Sequence, residues 1–116
     1  MTIEDILANL RVYAPLTALI GNRIYYMRMP QSPTYPLVVW ERISSPAINT
    51  MEGYSTHKNH VSFKCYSDDT IEVRNTAEAL LEGLAKILIE IEDAGRDLYD
   101  DDVKVFFIPI DISFWR

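Results

Sequence analysis

Apolar and polar positions recur along this chain with two different periods, and the change of period marks out its elements. Near the N-terminus Ile3, Ile6, Leu7 and Leu10 fall at helical spacing, with Glu4 and Asp5 in the first turn, where the helix dipole favours acids, and Thr2 placed as N-cap. Pro15 lacks an amide proton and crowds the preceding turn, so this helix is expected to end or kink near Ala14. A further turn from Leu16 to Ile20 should then close at Gly21. From Arg23 to Tyr35 the periodicity dissolves into Tyr, Met and Pro, which reads as an extended, irregular connector.

A period of two takes over at Pro36 to Ile43 (PLVVWERI) and again at His60 to Tyr66 (HVSFKCY), where Val61, Phe63 and Cys65 are expected to face the core. Between these strands Ser44 to Asn59 is polar and, at 16 residues, longer than loops usually are in a compact domain; such loops tend to be functional or disordered. Ser67, Asp68 and Asp69 offer N-caps for a second helix carrying Val73, Ala77, Leu80, Leu81, Leu84 and Leu88 on one face. Beyond Ala85 the alternation of Ile87, Ile89 and Ile91 with Leu88, Glu90 and Glu92 suits a strand, although helical spacing also runs through Leu84, Leu88 and Ile91. A strand over Leu88 to Asp93 is favoured, because isoleucine packs well on a pleated surface.

Ala94 to Asp102 then reads as an acidic turn, and Val103 to Trp115 as a long terminal strand in which Pro109 asks for an edge position or a bulge. The order α, β, β, α, β, β lacks βαβα alternation. It predicts an α+β fold, two helices packed on one face of a mainly antiparallel sheet of about four strands, over one domain spanning 1–116.

Composition adds that the chain should fold: 48% of residues are hydrophobic and 24% charged, far from the signature of disorder. No apolar run approaches the roughly 20 residues that span a bilayer, and the N-terminus has neither the basic nor the apolar region of a signal peptide. The one cysteine, Cys65, excludes an internal disulfide, and a reducing cytosol suits such a protein. The net charge of −6 resides in one place, because residues 90–102 hold seven acids against Arg96 while the rest of the chain balances. Without a basic stripe, specific nucleic-acid binding is not expected, and the acidic run reads as a solvated loop rather than a metal or partner site.

Catalytic chemistry finds no foothold. His57, His60 and Cys65 lack the fourth ligand and the paired spacing of a zinc site. Asp68 with Asp69, and Asp100 to Asp102, have no partner base and read as caps and turns. The four glycines are scattered, so no phosphate-cradling loop exists, and no serine sits in a nucleophile elbow. No catalytic, cofactor or metal residue is expected. What stands out is an aromatic and methionine-rich set of candidate interface residues, Tyr25, Tyr26, Met27 and Met29 in the connector and Met51, Tyr54 and His57 in the long loop. They could equally cover the edge of the core.

Gly21-Asn22-Arg23-Ile24-Tyr25, then Pro30-Gln31, then Tyr35-Pro36-Leu37-Val38-Val39 resembles the opening of the phage tail completion family, also called tail terminators. The similarity continues through His60 to Tyr66, the helix starting near Ser67, Arg96-Asp97-Leu98-Tyr99-Asp100 and the ending Asp111-Ile112-Ser113-Phe114-Trp115, and departs at Leu81 to Glu90, where relatives often carry a glycine turn. The resemblance implies a non-enzymatic virion protein, in relatives typically a hexameric ring, that caps the head-proximal end of the tail tube, ends its growth and joins it to the head's connector. It also implies that the long loop makes ring and tube contacts. Alternatives are a head-side connector or stopper, a tail tube subunit and, from another class, a small metal-binding or hydrolytic protein built on His57, His60 and the acids.

Overall fold

The computed structural model describes residues 3–44, 47–49, 55–87, 90–93, 96–102 and 104–115. The N-terminal helical pattern forms two helices, α1 (Ile3–Arg11) and α2 (Ala14–Ile20), separated at Val12 and Tyr13. Pro15 lies in the first turn of α2, where its missing amide proton costs no hydrogen bond and its fixed φ favours the helix, so it starts a helix as well as ending one. Gly21 (φ +61°) donates its N–H to Thr17 and closes α2 as expected. Together with α3 (Thr70–Ala85) this makes three helices among the described residues, one more than the pattern implied. The Thr2 cap lies outside the described residues. Asp69 caps α3, its carboxylate accepting from the Ile71 N–H at 3.0 Å, while Ser67 Oγ donates to Glu72 at 2.6 Å.

The expected strands are present as β2 (Leu37–Ser44), β4 (Ser55–Ser67), β5 (Glu90–Asp93) and β7 (Val105–Trp115). Three short strands join them where sequence pattern indicated connector, loop and turn: β1 (Ile24–Tyr26), β3 (Ala47–Asn49) and β6 (Leu98–Asp100). The main path runs β1-β2-β4-β7-β5, with β3 paired to β4 and β6 to β7. Every pair is antiparallel except β1 with β2, which makes the sheet mixed and larger than the four strands expected.

The stretch from Ser44 to Asn59 is therefore not one loop. Its described parts include β3 and the start of β4, paired Ala47 with His57 and Asn49 with Ser55. Since β7 reaches no further along β4 than Lys58, this hairpin projects beyond the body of the sheet as a two-stranded arm. It helps give the protein extents of 51 × 30 × 23 Å.

Pro109 also departs from expectation. It sits in β7, an interior strand, opposite Lys64 in an unbroken register with β4. On the other flank it falls between Phe107, the last residue paired with β6, and Asp111, the first paired with β5. Among the described residues no strand pairs with β7 on that flank between these two positions, so an interior strand has a local edge that tolerates proline.

All three helices cover one face of the sheet. Ile6, Leu10, Leu16, Ile20, Leu80 and Leu84 meet Val61, Phe63, Cys65, Ile108, Ile110 and Ile112 in the main core. The expected inward residues of β4 are buried, and so are Ser62 and Tyr66 between and beyond them, because the opposite face is covered too. There Leu37, Val39, Tyr66 and Val105 form a second cluster under Tyr25, Met29, Tyr35 and Phe107.

Candidate assembly interface

The edge formed by β1 and the outer part of β2 is fixed by one side chain. Arg23 donates from Nε to the Pro36 carbonyl at 2.9 Å and from Nη2 to the Leu19 carbonyl at 3.1 Å, tying the C-terminus of α2 to the start of β2. A cation at a helix C-terminus also suits the dipole. With Arg23 held, β1 lies parallel to β2, Ile24 opposite Val38 and Tyr26 opposite Trp40.

This placement divides the four candidate residues of the connector. Tyr25 and Met29 pack against the second cluster, where the Tyr35 hydroxyl donates to Met29 Sδ at 3.8 Å. Burial, then the nearby Asp68 and Asp100, push the Tyr35 phenol above its ordinary pKa. Tyr66 stacks on Phe107 at 5.5 Å, and burial first, with Asp100 and Glu41 next, raises its phenol as well.

Tyr26 and Met27 instead face solvent, 57% and 59% exposed. Tyr26 leans on Trp40 with ring centroids 4.5 Å apart, and Met27 holds a positive φ of 69°, uncommon for a side chain of its size. Ile43, further along β2, is 57% exposed, and Arg28 and Arg42 are exposed beside them. Tyr, Trp, Met and Arg are the residues that interface cores favour. Met51 and Tyr54 lie outside the described residues; His57 lies on β4, in the arm, opposite Ala47. Trp40, Ile43, Arg28 and Arg42 escaped the sequence reading. The signal that could have found them is the strand pattern of IYYM and WERI on two segments that pair.

The acids have structural partners where their contacts are described. Arg74 grips Asp97 at 2.6 Å, the Asp102 N–H bonds Asp100 Oδ1 at 2.9 Å, and Asp69 caps α3. Among the described residues no group of three or more His, Cys, Asp or Glu is placed to hold a metal ion. Cys65 is buried in the main core, and desolvation pushes its thiol up to about 12. No helix among the described residues is long and apolar enough to cross a membrane.

Helices on one face of a mixed sheet define an α+β fold, shared with a chain in the solved virion of a native gene transfer agent particle. The two align with a TM-score of 0.70 at 13% identity, covering 93% of this chain and 88% of that one, a likeness of fold. The protein belongs to the tail completion protein gp17 family, whose model matches residues 4–115. Membership makes it a structural tail protein of the phage type. A search of curated proteins found no match.

Proposed function

We propose that this protein, without catalysing any reaction, assembles as a closed ring of six subunits, as the family resemblance implies, on the head-proximal end of a tail tube. There it ends tube growth and presents a surface to the head's connector. The observation that carries this reading is the family match across residues 4–115. The likeness of fold to a chain of a gene transfer agent virion, and an edge rich in exposed Tyr, Met and Arg, support it. Its partners are then further copies of itself, the tube protein and the connector, in a virion assembled within the host bacterial cytoplasm.

The test is genetic and structural together. Deleting the gene should give tails that are overlong or fail to join heads. Met27→Asp should reproduce that defect with an unchanged thermal melt, since Asp tolerates a positive φ better than Met and only the surface chemistry is altered. Normal tail length and head joining in the deletion would refute the reading.

A further inference from the structure

We infer that neighbouring copies join by sheet extension, the outer edge of β5 in one copy pairing antiparallel with the β1–β2 edge of the next. This rests on the ring reading above and adds to it the identity and direction of the contact.

Among the described residues no strand pairs with the outer side of β1. The Arg23 carbonyl accepts from Val38 and the Met27 N–H donates to Trp40, so by strand alternation Ile24 and Tyr26 turn their backbone groups outward. Locally, the Ile24 N–H is bonded to Asn22 and the Tyr26 carbonyl to Arg28. The Ile24 carbonyl and the Tyr26 N–H are left facing outward. The same alternation turns Arg42 to this edge beyond the end of β1, where no described strand pairs with it. At the opposite end of the sheet β5 has β7 on one side and no described strand on the other. Unpaired edges of this kind are templates for another chain.

Charge selects which edges meet. Residues 23–44 carry three arginines and one acid, whereas β5 reads Glu-Ile-Glu-Asp within a segment of seven acids and one arginine. Two β5 edges would set acids against acids, and two β1 edges arginines against arginines, arrangements that destabilise a ladder. Unlike edges attract. Ile91, 39% exposed, supplies an apolar centre on β5 to match Tyr26, and both lie on the helix-bearing face.

Direction agrees with charge. β1, β2 and β7 run one way and β4 and β5 the other, so β5 of one copy meets β1 of an identically oriented neighbour antiparallel, without inverting either subunit. That contact is head-to-tail, the kind that closes into rings.

Disulfide trapping in assembled tails tests this, with Tyr26→Cys and Ile91→Cys made singly and together and Cys65 left in its core. Opposed antiparallel residues lie about 4.5–5.5 Å apart at Cα, within disulfide range. A ladder of multimers from the double variant, and dimers only when the two single variants are mixed, are expected. Assembled tails of normal length that give no such cross-link would overturn the inference and leave the ring reading standing. Dimers formed by either single variant alone would overturn it as well. Protein that stays monomeric beside tail tubes would remove both readings. As a second measurement that leaves no new cysteine, Arg28→Glu with Arg42→Glu should weaken self-association about tenfold. Unchanged association in the arginine variant, with normal melting, would again overturn the edge pairing.

Discussion

At the scale of single residues, alternation along one strand was enough to place Cys65. Val61, Phe63 and Cys65 point into the main core as their spacing implies. Burial removes the thiol from water and raises its pKa from 9.0 to about 12, so the neutral form is the one the fold holds. A thiol reagent at pH 8 should therefore leave native protein unlabelled and react only after denaturation; rapid native labelling would contradict the placement. The unfolded chain loses the proton near its ordinary pKa while the folded chain keeps it, so stability should fall as pH rises from about 9 towards 12. Tyr35 and Tyr66, also raised, add to that slope, and Cys65→Ala should make it shallower. Sequence could not separate Tyr25 and Met29 from Tyr26 and Met27. Which of these is covered depends on a second cluster, assembled from β2, β4 and β7, that no local pattern encodes.

Among elements, those with long amphipathic patterns were legible: the N-terminal helical pattern, α3 and the four longer strands appear within a few residues of where their periodicity placed them. The three short strands were not, since β1, β3 and β6 have three residues each and exist because a longer strand offers them a ladder. Helix packing carries a constraint of the same long-range kind at Gly83. It sits on the buried face of α3, where an added Cβ would lie 2.9 Å from Tyr13 Cδ2 and 3.2 Å from Leu10 Cδ2. Tyr13 itself is positioned by its hydroxyl bond to Glu82 at 3.1 Å and by Lys86, whose Nζ stands 5.0 Å above the ring. Alanine gains about 1 kcal/mol of helix propensity over glycine, but overpacking costs about 1–3 kcal/mol. Gly83→Ala should therefore lower stability by roughly 1 kcal/mol in urea unfolding. In a Tyr13→Ala background the same substitution should be neutral or stabilising; a loss of equal size in both backgrounds would show that the ring does not set the limit.

For the molecule as a whole, the feature that matters is the direction of the arm. A domain of this length packed to average compactness would have a radius of gyration of about 13 Å, and the observed 14.9 Å reflects elongation. β3 and the residues of β4 that pair with it lie beyond the reach of β7, outside the part of β4 that pairs with β7. If subunits join edge to edge without inversion, every arm leaves the ring on the same side, and one face of the ring differs from the other. That asymmetry suits the proposed role of a cap between two unlike partners. Replacing residues 45–57 with a short Gly-containing turn, which keeps β2 in register with the rest of β4, should leave the domain folded and able to self-associate, with little change in its melting temperature. The shortened protein should nevertheless fail to hold one of its two partners, giving either overlong tails or capped tails without heads, as seen by electron microscopy. Capped and joined tails of normal length from the shortened protein would show that the arm has no part in attachment.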